Sequence, residues 1–215
     1  MAAQSGGIPR SLFIFSIFYG GMVCIAGVLG NKQVALGPLA VEAGIFPFLM
    51  LVITSSAVAA LHGKEIANGL VRYGFIPLVA SILLTFLVLL IPASPEMDPA
   101  RLDSFNIVMG QSWRLMAAGI VSYGISQTLN VYVFDRLKAG IGRFVPVRGA
   151  IAAVLSQIVD TVLFVSIAFY GVFPIAQLMM GQMLAKIVLS IVLVPVIIQV
   201  MVSLGNKLDS EGGSA

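Results

Sequence analysis

Residues 11–29 read SLFIFSIFYGGMVCIAGVL, nineteen in succession without a charge, preceded by Arg10 and followed by Gly30, Asn31 and Lys32. A secretory h-region is shorter, about 7–15 residues, and runs into a small-residue cleavage site. This run is long enough to cross a hydrocarbon core, which takes about 20 apolar residues, so it predicts a retained first membrane helix. The same reading extends outward. Gly44 to Leu61 forms a second span, with Pro47 near its start, where a missing amide proton costs little. Tyr73 to Ile91 is a third, closed by a wet loop containing Pro92, Pro95 and Pro99 with Glu96, Asp98 and Asp103. A fourth runs from Trp113 to Phe134, with Trp113 and Arg114 as interfacial anchors. Val147 to Tyr170 is the fifth, and the turn Gly171-Val172-Phe173-Pro174 leads into the sixth, Ile175 to Leu204. Val34 to Val41 is apolar but too short to span and contains Gly37 and Pro38, which predicts a re-entrant or unwound piece after the first helix. The expected fold is an all-α integral membrane protein: one six-helix transmembrane domain over residues 1–204 and a disordered tail, rich in Gly, Ser, Asp and Glu, over 205–215.

Composition agrees. The chain has 215 residues, 59% hydrophobic and 10% charged, against about 45–50% and about 25% in soluble domains, so its expected solvent is the lipid bilayer. A net charge of +3 gives no reason to expect a nucleic-acid partner. The single Cys24 cannot form an internal disulfide. Lys and Arg near the expected helix ends give an orientation. With the N-terminus inside, Arg10, Lys64, Arg72, Arg136, Lys138, Arg143, Arg148 and Lys207 are cytoplasmic, and only Lys32, Arg101 and Arg114 face out. Eight against three predicts both termini inside. Small residues at four-residue spacing, Ala26 with Gly30 and Gly149 with Ala153, predict close helix packing within the chain and leave a homo-oligomer open.

The chain lacks the chemistry of an enzyme. One His, one Cys and two or fewer acidic residues per span do not supply a metal-ligand set, and no cofactor is expected. An intramembrane serine protease needs a Ser and a His at matching depth, whereas His62 falls at the end of the second span and reads as an interfacial histidine. No G-x-x-x-x-G-K-[ST] loop is present, so uphill movement would draw on an ion gradient, metabolic trapping or a partner.

Two ionisable groups fall well inside the expected spans, Asp160 in the fifth and Lys186 in the sixth. Each costs about 2.5–3.5 kcal/mol on insertion scales. They lie ten and eleven residues from the outer turn, hence both roughly 15–16 Å deep. A buried Asp160–Lys186 pair that only fixes two helices is the plainest reading. Against it stands the polar company. Tyr123, Gln127, Asn130 and Phe134 share one face of the fourth span. Ser156 and Asp160 are i, i+4 in the fifth, flanked by Gln157 and Thr161, and Gln182 and Lys186 are i, i+4 in the sixth. Polar stripes facing lipid are unfavourable, so a shared interior pocket for a small-molecule substrate is expected. A planar heterocycle fits such a pocket: its N–H donors on Asp160, its carbonyl and ring nitrogens on Gln127, Asn130 and Gln157, its faces on Tyr123, Phe134 and Phe164. A carboxylic acid on Lys186, or a proton carried by Asp160, would use the same residues.

The segments Ser126-Gln127-Thr128-Leu129-Asn130-Val131-Tyr132-Val133-Phe134, Ser156-Gln157-Ile158-Val159-Asp160-Thr161-Val162-Leu163-Phe164 and Ile167-Ala168-Phe169-Tyr170-Gly171 resemble the queuosine precursor transporter family, also called the vitamin uptake transporter or YhhQ family. Asn31-Lys32 and Phe46-Pro47 match as well, which adds Asn31 to the expected substrate-binding residues. The resemblance implies uptake across the bacterial inner membrane of 7-deazaguanine bases, such as the 7-cyano and 7-aminomethyl precursors of queuosine. It also implies an Asp and a Glu in the second span, where this chain has Ser56 and Ala60, with His62 in place of a Tyr. The alternative is a substrate-capture subunit energised by a separate ATP-driven module.

Overall fold

The computed structural model describes residues 7–37, 39–110, 113–142, 144–171 and 175–212. Nine helices and one hairpin follow one another among them: α1 (Arg10–Leu29), β1 (Gln33–Leu36), β2 (Leu39–Glu42), α2 (Ile45–His62), α3 (Lys64–Tyr73), α4 (Phe75–Leu90), α5 (Pro99–Met109), α6 (Trp113–Arg136), α7 (Lys138–Ile141), α8 (Val145–Phe169) and α9 (Ile175–Gly212). Five stretches are long and apolar enough to cross a membrane: α1, α2, α3 with α4, α8, and α9 from Met179 to Glu211. The expected fourth span falls on the 24-residue α6, which is not one of those five. Its buried Ser122, Ser126, Gln127 and Asn130 make it too polar to stand in that apolar set.

Burial sorts the helices. α2 is the central post, with a continuous buried run from Leu51 to Val58. α4 is apolar throughout, yet none of its residues is buried. An apolar helix face without protein cover has lipid as its solvent, and Leu83, Leu84, Leu87 and Leu90 are exposed on α4. α6 and α8 pack extensively on each other, and α8 on α9. The α6–α8 pair is fastened at both ends. Arg114, at the start of α6, donates to the carbonyls of Ile167 and Tyr170 at 2.5 and 2.6 Å. Arg148, in the first turn of α8, donates from Nε and Nη2 to the Phe134 carbonyl at 3.0 and 2.8 Å and from Nη1 to Gly142. Each arginine satisfies the unpaired carbonyls at the end of the other helix. Arg114, expected as an interfacial anchor, acts in the fold as a helix clasp. The side chain of Trp113, the turn residues 172–174, Pro38 and Arg143 lie outside the described residues.

Two expectations are corrected. The re-entrant or unwound piece is an antiparallel β-hairpin, Gln33 opposite Glu42 and Leu36 opposite Leu39. Gly37 at its tip has φ +61°, a backbone that glycine adopts without steric cost. The tail from Gly205 is helical through Gly212 as the end of α9. Its Asp209 accepts hydrogen bonds from Ser11 N at 2.9 Å and Ser11 Oγ at 2.8 Å. Compositional polarity is overridden there by docking on α1 and α2. The small-residue pairs pack within the chain. Ala26 and Gly30 lie against Gly44, and Gly149 lies against Ile198 and Val194 of α9.

Candidate functional site

α3 ends at Gly74, and the break leaves the Val71 carbonyl to be satisfied from outside its own helix. Tyr123 Oη of α6 donates to it at 3.0 Å, and Tyr19 Oη of α1 donates in turn to Tyr123 at 3.1 Å. Tyr123 of this buried pair lines one side of a cavity of about 410 Å³. The other side is the ion pair: Lys186 Nζ donates to Asp160 Oδ2 at 2.7 Å. Both residues are under a tenth exposed. Among the described residues Asp160 Oδ1 is held only by Ser126 Oγ at 3.4 Å and keeps acceptor capacity. Lys186 Nζ also stands 5.6 Å from the centroid of Phe48, a cation–π arrangement.

Of the residues expected at the site, Asp160, Lys186, Gln182, Tyr123, Phe164 and Asn31 line this one cavity. Asn31 reaches it from the end of α1, where its Nδ2 donates to the carbonyls of Gly27 and Val28. Gln127, Asn130, Gln157, Ser156 and Thr161 do not line it. Ser156 and Thr161 hydroxyls donate to carbonyls of their own helix, Ala153 and Gln157. Asn130 Nδ2 donates to Val52 O, Ser55 Oγ and Ser56 Oγ at 3.0–3.1 Å. Ser56, one of the two positions where the resemblance implies a carboxylate, is therefore spent on holding α6 against α2. The carboxamides form a separate polar layer. Gln127 is one helical turn past Tyr123, and Gln157 nearly one turn past Asp160, both away from the cavity. Within that layer Gln127 Nε2, Asn130 Oδ1 and both polar atoms of Gln157 are buried without a hydrogen-bond partner among the described residues.

Glu42 was missed by hydropathy, because it follows an eight-residue apolar segment too short to count as a span. The hairpin carries it into the cavity wall and lays β2 against α9. There Gln182 hydrogen-bonds its carboxylate. Burial raises the Glu42 carboxyl above its ordinary range. Lys186 and the Gln182 hydrogen bond oppose that shift, and Asp160 adds to it. The signal available in the sequence was an acid two residues before a glycine-led helix, which does not by itself announce a pocket.

At the far end of the bundle, Ser11 Oγ lies 2.7 Å from His62 Nε2 and donates to Asp209 Oδ2 at 2.8 Å. Asp209 is 3.7 Å from the same ring nitrogen. A catalytic triad needs the carboxylate on the opposite nitrogen of the ring, leaving the serine free of it. Here the serine is buried and bonded to the acid directly, so the cluster ties α1, α2 and α9 together. His62, at the end of α2, is part of that tie.

The family described as "Putative vitamin uptake transporter" matches residues 42–200. A "Probable queuosine precursor transporter" from Bacillus subtilis (strain 168) is 29% identical over 119 residues, covering 53% of this chain and 49% of that relative. The match thus spans about half the length of the curated relative. No solved structure matches the chain. With the family's sequence pattern running from the hairpin that carries Glu42 through Asp160 and Lys186 into α9, the chain belongs to the vitamin uptake transporter family, a family of transporters and not of enzymes.

Proposed function

We propose that the protein is an inner-membrane carrier for the uptake of 7-deazaguanine precursors of queuosine. The observation that carries this reading is a largely apolar cavity lined by a buried carboxylate, Asp160, whose Oδ1 accepts only one long hydrogen bond among the described residues, beside Lys186, Gln182 and aromatic side chains. A flat base can lay its N–H edge on Asp160 and its faces against Phe48, Tyr123 and Phe164. The similarity to a queuosine precursor transporter supports the same substrate class. In this reading α6 is the fourth of six spans and both termini are cytoplasmic. The cavity is then bounded by the outer halves of α1, α2, α6, α8 and α9 and by the middle of α4, and the far end is tied shut by Ser11, His62 and Asp209. That arrangement is outward-open. The carboxamide layer, one turn deeper, is the next polar station on the path. Its unpartnered amides have hydrogen bonds to offer once the cytoplasmic tie releases.

Competition binding to the purified protein tests the substrate class. An adenine ring presents a bare nitrogen where a deazaguanine presents N1–H, so it sets a lone pair against Asp160. Unpaired buried groups cost about 1–3 kcal/mol each, and adenine should be excluded by a decade or more while guanine, which shares the pairing edge, competes. Adenine competing as well as the 7-cyano or 7-aminomethyl base overturns the reading. Uptake into liposomes by this chain alone is the expected transport result.

A further inference from the structure

The acidic and basic side chains lining the cavity, among the described residues, are Glu42, Asp160 and Lys186. Asp160 and Lys186 neutralise each other at 2.7 Å. Glu42 makes no ion pair within 4.0 Å among the described residues, so the cavity holds one uncompensated carboxylate. The sequence placed no acid here, because the hairpin that delivers Glu42 is too short to register as membrane structure. An uncompensated charge in a confined, partly desolvated space costs free energy that a ligand of opposite charge recovers.

We propose that Glu42 is the specificity-determining group of the cavity and selects ligands that carry a protonated amine. This rests on the reading of the cavity as a deazaguanine site, and within that class it favours the 7-aminomethyl base over the neutral 7-cyano base. The positions suit the task. Glu42 is held by Gln182, and Asp160 is held by Lys186. Gln182 and Lys186 are one turn apart on α9, about 6 Å along the axis. A base with its pairing edge on Asp160 therefore directs the substituent of its five-membered ring toward the level of Glu42. A primary ammonium there gains a charge-assisted hydrogen bond, whereas a nitrile brings only acceptors and meets the carboxylate unfavourably. Rigid placement of the carboxylate follows from β2 packing against α9.

The test is titration calorimetry of the full-length protein in nanodiscs with the 7-aminomethyl and 7-cyano bases, on the wild type and on Glu42→Gln. The wild type should bind the aminomethyl base roughly tenfold or more tightly than the cyano base, the size of one charge-assisted hydrogen bond, and Glu42→Gln should bring the ratio of the two dissociation constants close to one. A wild type that binds the cyano base as well or better overturns the proposal, as does a Glu42→Gln variant that keeps the ratio. The wild-type ratio decides the matter even should the variant fail to fold. Failure of both bases to bind is a different result: it overturns the deazaguanine reading itself, and Glu42 selectivity within that class with it.

Discussion

Asp160 and Lys186 are each unfavourable alone in the bilayer and tolerable together, so single and double substitutions separate their roles. Asp160→Asn leaves the Lys186 ammonium buried without its 2.7 Å partner, and breaking such a pair costs about 3–5 kcal/mol. The variant should unfold at a clearly lower temperature in detergent. Adding Lys186→Met removes the stranded charge and should recover most of the loss. Binding should behave differently: the double variant stays weak toward the deazaguanine bases because the negative charge that strengthens the Asp160 hydrogen bonds is gone. A double variant that binds like the wild type would show the pair to be a helix fastener only. Glu42 adds a pH dependence. Burial raises its carboxyl, so protonation removes its negative charge at a higher pH than for an exposed glutamate. The preference for the cationic base is present above that value and fades below it. The groups around it are Lys186 and Gln182 of α9 and Asp160 of α8, with Cys24 and Tyr123 on the remaining wall. Binding ratios measured from neutral pH downward should fall for the wild type and stay flat for Glu42→Gln.

At the scale of elements, the join between α3 and α4 positions Tyr123. A Cβ at Gly74 would meet the Tyr123 hydroxyl and come within 2.8 Å of Tyr19 Cε1 and 3.2 Å of the Val71 carbonyl. Gly74→Ala should therefore displace the tyrosine pair and destabilise the protein by about 1–3 kcal/mol, the usual effect of overpacking. Gly21→Ala, on α1 with nothing within 4 Å of the new atom, should be neutral or slightly stabilising, since alanine is the better helix former. Thermal melting of both variants followed by size-exclusion recovery reads the contrast. The hairpin matters at the same scale. Pairing of Gln33 with Glu42 fixes which residue of β2 faces α9, and a slip of one residue would turn Glu42 to the other face.

For the whole molecule, the charge bias and the cavity make one joint statement: the open cavity faces away from the basic end. In a Cys24→Ala background, a cysteine at Asp98 should label from outside intact cells and one at Lys138 should not. Labelling of Lys138→Cys from outside would invert the bundle and make the cavity inward-open. The tie at the other end is tested by Asp209→Asn, which weakens two acceptor bonds to Ser11. It should increase the labelling of a cysteine at Gln157 from the cytoplasmic side, because release of α9 from α1 opens the path to the carboxamide layer.

Apolar runs of about 20 residues can be solvated only by lipid, so the membrane class and the positions of α1, α2, α4, α8 and α9 followed from local composition. The co-location of Asp160 and Lys186 followed from counting residues inward from a shared turn, since helical rise is constant. Which polar side chains share a surface was decided only in three dimensions. Gln127, Asn130 and Gln157 belong to the same helical stripes as Tyr123 and Asp160 by periodicity, but they lie about one turn or more further along α6 and α8, where Asn130 bonds to α2, and so form a layer outside the cavity. Glu42 reaches the cavity because backbone pairing folds a short apolar segment into a hairpin, and strand pairing is a non-local choice that hydropathy does not encode. The tail is helical for a similar reason. Its polar composition favours disorder in isolation, and the hydrogen bonds of Asp209 to Ser11, available only once α1 and α9 lie side by side, outweigh it.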